Sequence, residues 1–182
     1  ISVDSKESIK EFINDHNLGF TEAAATYGLD DAGYTTQVSF FDYDMDGDLD
    51  CFMINNSPVS PMQLNNVNYR AIPELPWPKN VSWNEGGDHF TREAGIHGSL
   101  ISFGLGVTVG DVNGDGYQDV YVSNDFYERD YLYINQKNGR FRDEAEQWLQ
   151  HTSLASMGAD FGDINNDGYP EIFTTDMLPG ED

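Results

Sequence analysis

The chain has 182 residues, enough for one core, and its 38% hydrophobic and 13% aromatic content supports burial rather than disorder. Asp and Glu number 32 against 9 Lys and Arg, a formal charge of −23 at pH 7 that repels nucleic acid and anionic membrane surfaces. No apolar run reaches the roughly 18 residues of a membrane span, no signal-peptide pattern opens the chain at Ile1, and the single cysteine, Cys51, allows no internal disulfide.

Taken in chain order, the first element is SIKEFINDH, residues 8–16, which read alone has the spacing of a short amphipathic helix. Its alignment with YLYINQKNG from Tyr131 predicts a strand instead. The hairpin FINDHNLGF places Asn14 six residues before Phe20. Val38 and Phe40 mark a strand that runs into the acidic stretch DYDMDGDLD from Asp42, and LDCFMINN from Leu49 predicts a strand after it. Asp42 to Phe90 spans 48 residues where Asp111 to Phe141 spans 30, so the first unit carries 18 extra residues, placed between about Ser57 and Ser82. Pro58, Pro61, Pro73, Pro76 and Pro78 lie in it with Tyr69, Arg70 and Trp77, the composition of an ordered but irregular surface loop. Next, SWNEGGDHF repeats the hairpin with Asn84 and Phe90. Val107 and Val109 lead into DVNGDGYQD from Asp111, and DVYVSND from Asp119 follows. YINQKNGRF gives the third hairpin, with Asn135 and Phe141. Ala159 and Phe161, DINNDGYPE from Asp163, and EIFTTDM from Glu171 complete the series. From each hairpin Phe to the next acidic Asp the distances are 22, 21 and 22 residues, which defines a repeat. Phe20, Phe90 and Phe141 are expected in the core.

The acidic stretches share one pattern: Asp first, Asp or Asn third, Asp fifth, Gly sixth, Asp or Glu ninth. They hold eleven of the 32 acidic residues. So many carboxylates in one tight turn repel one another unless a cation sits among them. Calcium suits the donors, because it takes six to eight hard oxygen ligands in irregular geometry, whereas magnesium asks for a strict octahedron. Gly47, Gly116 and Gly168 allow the sharp turn. The variable seventh residue (Asp48, Tyr117, Tyr169) fits a ligand supplied by its carbonyl. An EF-hand is disfavoured: its twelfth position falls on Met53, Val122 and Thr174, and strands rather than helices flank each loop.

Four strands per unit of about 50 residues is the signature of a β-propeller blade. The expected fold is therefore all-β, with blades of four antiparallel strands joined by calcium-binding hairpin loops in a partial ring. The expected divisions are 1–35 for the closing strands of one blade, 36–98 for a blade with the insertion, 99–150 for a blade, and 151–182 for an opening half. A ring needs about four to eight blades, so the sequence is expected to be a segment of a larger propeller.

These residues resemble FG-GAP or VCBS repeats, the calcium-loop blades of integrin α-chains. The run FGLGVTVGDVNGDGYQDVYVSNDFYERDYLYIN, with SMGADFGDINNDGYPEIFTTDMLP after it, is similar to the cartilage acidic protein family and its bacterial relatives with ASPIC/UnbV domains. The resemblance implies an extracytoplasmic calcium-binding propeller, secreted, on the cell surface or associated with the outer membrane. It implies ligands at Asp42, Asp44, Asp46, Asp48 (carbonyl) and Asp50; at Asp111, Asn113, Asp115, Tyr117 (carbonyl) and Asp119; and at Asp163, Asn165, Asp167, Tyr169 (carbonyl) and Glu171. Glu171 departs from the usual Asp. Integrin ligand-binding residues have no counterparts here, so adhesion does not transfer.

Other chemistry is sparse. His16, His89, His97 and His151 have no metal-ligand spacing, and Cys51 has no basic neighbour to activate it. NDFYERDY, residues 124–131, gathers Asp125, Glu128, Arg129 and Asp130 as either a salt-bridged loop or an acid/base pair. Asn55, Asn124 and Asp176, closing each second strand, are expected to bond neighbouring turns. Tyr69, Arg70, Trp77 and Trp83 form either an aromatic platform for a glycan or peptide or a face packed on the propeller or an adjoining domain. The composite expectation is a calcium-stabilised scaffold with about three sites and no catalytic residues. It would bind a protein or glycan partner, within a surface or outer-membrane complex. The rival is a carbohydrate-active hydrolase or lyase on the same fold.

Overall fold

The computed structural model describes residues 11–56, 80–84, 89–93, 103–125 and 128–177. Residues 57–79 of the insertion expected at about 57–82, with Tyr69, Arg70 and Trp77, fall outside them, as does His97, while residues 80–82 belong to a strand. The strands are β1 (Phe12–Asn14), β2 (Phe20–Glu22), β3 (Thr35–Phe41), β4 (Asp50–Asn55), β5 (Asn80–Asn84) and β6 (Phe90–Glu93). Beyond these come β7 (Gly104–Gly110), β8 (Asp119–Asn124), β9 (Tyr131–Asn135), β10 (Phe141–Asp143), β11 (Ser156–Gly162) and β12 (Glu171–Asp176). All pairings are antiparallel between consecutive strands. β3-β4-β5-β6 and β7-β8-β9-β10 form four-stranded meanders, while β1-β2 and β11-β12 are two-stranded. These are propeller blades in a partial ring. Phe12–Asn14 is a strand, as alignment with the later repeat predicts, despite the helical spacing of SIKEFINDH.

The inner strand of each blade carries one irregularity at the same place. The register slips between Thr35 and Gln37, between Gly104 and Gly106, and between Ser156 and Gly158. Such a bulge increases local twist, which blades packed face to face require. β3 lies beside β7 and β7 beside β11. Thr36 donates its hydroxyl to the Gly104 carbonyl at 2.6 Å, and Thr108 donates to the Ala159 carbonyl at 2.6 Å. The approach of β7 to β11 depends on glycine: a Cβ on Gly110 would stand 2.6 Å from the Phe161 ring.

Alternation along β8 sends successive side chains to different cores. Val120 and Val122 join Phe41, Phe52, Ile54, Tyr131 and Tyr133 in one cluster, while Tyr121 faces Leu132, Ile134 and Ala145 in another. With both faces covered, all six residues of β4 and of β8 are buried. Phe90 and Phe141 are buried as expected. Phe20 corrects the core expectation: it is 62% exposed, because no inner strand pair flanks β1-β2 in the described structure.

Among the described residues two single-turn helices, α1 (Ala24–Tyr27) and α2 (Ala145–Trp148), follow β2 and β10, and the strand pattern does not foretell them. The readable signal is the strong helix formers in EAAA from Glu22 and EAEQ from Glu144. Each buries one alanine, Ala24 or Ala145. Among the described residues no helix is long and apolar enough to cross a membrane.

Candidate metal centre

Each acidic stretch joins the first strand of a sheet to the second, so loops 42–50, 111–119 and 163–171 are equivalent hairpin turns. The sequence folds the same way in each because the carboxylates cap the turn's own amides. At position one, Asp42, Asp111 and Asp163 accept the N–H of Gly47, Gly116 and Gly168 at 3.0, 2.7 and 2.9 Å. Their other oxygens accept the N–H of Asp46, Asp115 and Asp167 at 3.2, 3.0 and 3.0 Å. At position three, Asp44, Asn113 and Asn165 accept those fifth-position amides at 3.3, 2.9 and 2.8 Å. Position five in turn accepts from position seven: Asp46 from Asp48, Asp115 from Tyr117 and Asp167 from Tyr169, at 3.1, 2.9 and 2.9 Å.

The ninth residue ties the turn to the sheet. Asp50, Asp119 and Glu171 accept the second-position amides of Tyr43, Val112 and Ile164 at 3.1, 3.0 and 2.9 Å. Asp119 also accepts the Asn135 amide of β9 at 2.8 Å. Glu171, one methylene longer, turns its second oxygen to the Asn165 side chain at 2.6 Å. The backbone is left-handed at two places in every loop: φ is +98, +91 and +91° at Gly47, Gly116 and Gly168, and +67, +72 and +61° at Met45, Gly114 and Asn166. The fourth-position requirement was not read from the sequence, since Met, Gly and Asn share no obvious feature there beyond the tolerance of Gly and Asn for that region.

What these turns present is a hard, anionic oxygen set. In loop 42–50, carboxylate oxygens of Asp42, Asp44 and Asp50 lie within 4.8 Å of one another, the one such group of three or more acidic, histidine or cysteine side chains among the described residues. Asn at position three in the other two loops removes one charge from that triad. Burial holds Asp44 above the usual carboxylate range, with the Asp46 charge adding to it. Asp119 is pushed up to about 6, chiefly by burial and further by Asp115 and Asp111, against the lowering effect of the Asn135 and Val112 amides. All-oxygen donors with a sharp glycine turn fit a calcium-sized cation.

Two hairpin asparagines cap their own turns. Asn135 accepts the Lys137 amide at 2.9 Å and donates its side chain across blades to the Tyr43 carbonyl at 2.7 Å. Asn14 accepts the His16 amide at 2.8 Å in the same turn geometry.

The remaining candidates are spoken for structurally. Asp130 is buried and accepts the Tyr121 hydroxyl at 2.6 Å and the Asn124 amide at 2.8 Å. Buried Glu128 accepts the Tyr131 hydroxyl at 2.7 Å, and Arg129 pairs with Asp143 at 2.6 Å while lying over the Tyr131 ring. This is the salt-bridged alternative for NDFYERDY. Asn55 bonds Asp31, Asn124 bonds the Arg129 carbonyl, and Asp176 accepts from Ser153 and Leu154, so the closing residues do hold neighbouring turns. Cys51 is fully buried and its thiol is pushed up to about 12, chiefly by burial, with Glu11 and Asp50 adding. His16, His89 and His151 lie on separate elements, and His89 Nδ1 sits 3.2 Å from the Thr26 carbonyl.

Four-stranded meander blades, with an equivalent acidic turn between the first two strands of each sheet, define a β-propeller repeat module. The family described as FG-GAP-like repeat matches residues 76–122 and 111–174, more than half of the chain, and the chain belongs to it. Among similar proteins, integrin alpha-3 of Cricetulus griseus is 32% identical over 105 residues, half of this chain and 10% of its own length. Human integrin alpha-6 is 37% identical over 86 residues, 41% of this chain and 8% of its own. The matched stretches thus span about a tenth of these relatives. The repeat family and these relatives are non-enzymatic binding modules.

Proposed function

We propose that this chain is a calcium-binding propeller segment acting as an extracytoplasmic binding or assembly scaffold for a protein or glycan partner. In this reading calcium is structural and fills three loops. Asp42, Asp44, Asp46, Asp50 and the Asp48 carbonyl would hold the first ion. Asp111, Asn113, Asp115, Asp119 and the Tyr117 carbonyl would hold the second, and Asp163, Asn165, Asp167, Glu171 and the Tyr169 carbonyl the third. The observation that carries it is the threefold repetition of one amide-to-carboxylate net around turns of hard oxygen donors. The match to integrin alpha chains supports a protein partner and an extracytoplasmic setting; a glycan partner and a place in a surface or outer-membrane complex belong to the proposal alone. The cartilage acidic protein family is the proposed closer kin. Blades at 36–98 and 99–150, flanked by parts of two others, complete the proposed organisation.

An ion that binds only the folded form stabilises it by RT ln(1 + [L]/Kd), about 2.7 kcal/mol per site at hundredfold excess. The test is a thermal melt in EDTA and in calcium, with the stoichiometry taken by calorimetry. Three ions per chain and a large fall in melting temperature on chelation are expected. An unchanged melt with no heat of binding refutes the reading.

A further inference from the structure

The chain holds two Asn-Gly pairs, Asn113–Gly114 and Asn138–Gly139, which look alike in sequence. An asparagine followed by glycine is open to an internal reaction. The glycine's backbone nitrogen can reach the asparagine Cγ, because no Cβ on the second residue stands in the way. The fold separates the two pairs.

Asn113 is the third residue of loop 111–119 and is half-buried, with both ends of its amide engaged. Its Oδ1 accepts the Asp115 N–H at 2.9 Å, and its Nδ2 donates to the Asp115 carboxylate at 3.0 Å. Bringing Cγ onto the Gly114 nitrogen would break both bonds. Asn138 lies in the turn between β9 and β10, where Gln136 donates its N–H to the Arg140 carbonyl at 2.9 Å. It is exposed, and its side chain makes no hydrogen bond among the described residues. Gly139 is left-handed, φ +79°, and among the described residues a Cβ there would meet only the Tyr43 hydroxyl, at 3.5 Å. The equivalent turn between β1 and β2 gives the contrast. Asp15 bonds the Gly19 carbonyl at 3.0 Å in the same way, but Leu18, φ +64°, stands where Gly139 does, and Asn17 Nδ2 donates to the Asp15 carbonyl at 3.2 Å.

We infer that Asn138–Gly139 is a spontaneous covalent modification site of the folded chain, while Asn113 is protected by its own loop. First the Gly139 nitrogen bonds to Asn138 Cγ and the Cγ–Nδ2 bond breaks. The Gly139 amide proton leaves with the amino group as ammonia, closing a succinimide. Water, the one co-reactant, then adds across a ring C–N bond: opening at Cγ leaves aspartate, and opening at the main-chain carbonyl leaves isoaspartate. Nothing is oxidised or reduced, and neither step needs calcium. Either product adds a negative charge to a chain already at −23. Isoaspartate also lengthens the backbone of a turn whose Asn135 caps Lys137 and reaches Tyr43 on the neighbouring blade, so the mark falls beside a contact between blades.

The test incubates the chain with EDTA in mildly alkaline buffer, once folded and once in urea, and follows its peptides by mass spectrometry over time. In the folded chain the peptide holding Asn138 should gain the mass of an amide turned to acid and resolve into aspartyl and isoaspartyl forms. Asn113 should react about tenfold more slowly or less, since two hydrogen bonds must be released first. In urea Asn113 should catch up with Asn138, while Asn17, followed by leucine, lags behind both. Asn138→Gln, which would have to close a larger and slower-forming ring, should remove the fast product. An Asn138 peptide unchanged in the folded chain refutes the site, whatever happens in urea, and so does a fast product that survives Asn138→Gln. An Asn113 that keeps pace with Asn138 before unfolding overturns the protection by the loop.

Discussion

At the scale of single residues, the loops show where a side chain agrees with its backbone and where it does not. Met45 occupies the left-handed fourth position that Gly114 and Asn166 fill in the other loops, and its side chain is exposed. A side chain there costs roughly 1–2 kcal/mol, part of which a glycine returns through its freer unfolded chain. Met45→Gly is therefore expected to stabilise by about 0.5–1 kcal/mol, raising the melting temperature by about 2 °C. A destabilised variant would show that Met45 makes contacts its exposure does not suggest. Asp119 makes a second residue-scale prediction. Its folded-state pKa of about 6 lies above the usual 3.8, so the folded chain holds this proton more tightly than the unfolded chain does. In EDTA its contribution therefore favours the fold as pH falls from about 7 to about 5 and is lost as pH rises through 6. Calcium demands the ionised form, so the stabilisation by added calcium should shrink over the same interval. Paired melts across pH, with and without calcium, should diverge toward neutrality; parallel curves would contradict the assignment.

Elements explain what could be read from the chain and what could not. The acidic turns, their flanking strands and the Asn-to-Phe hairpins were legible because each is local and written three times. Repetition overrode the helical spacing of SIKEFINDH for the same reason. Phe20 was misplaced because its spacing matches Phe90 and Phe141, while its burial depends on sheets packed beside it. The partner of Asn135 was also out of reach. That its side chain donates to Tyr43, 92 residues away on the next blade, follows from blade packing and not from the hairpin motif. The same asparagine closes its own turn and is anchored to the second acidic loop. Asn135→Ala should thus remove a buried contact between blades as well as a turn cap, at a cost of about 2–3 kcal/mol. Denaturant unfolding measures it. A loss near zero would mean the blades are held by apolar packing alone. Tyr121→Phe is a milder probe, stripping one donor from buried Asp130 while the Asn124 amide remains, for about 1 kcal/mol.

The whole molecule is governed by its charge. Eleven of the 32 acidic residues lie in three loops, and three calcium ions would bring −23 to −17. Self-repulsion of that size destabilises a compact state, and it is greatest where carboxylates such as Asp42, Asp44 and Asp50 converge. Two remedies act differently. A bound divalent ion neutralises one turn at contact distance. Simple salt screens every exposed carboxylate, with a Debye length of about 3 Å at 1 M. Sodium chloride should therefore raise the melting temperature of the EDTA-treated chain substantially, because the loops then carry their full repulsion. It should raise that of the calcium-loaded chain much less, and it should weaken calcium binding by lowering the potential that attracts the ion. Melts at about 0.05 and about 1 M sodium chloride, each with EDTA or calcium, separate the two effects. If salt stabilises both forms equally, the loops are not where the repulsion resides, and the excess acid acts only as a diffuse surface field.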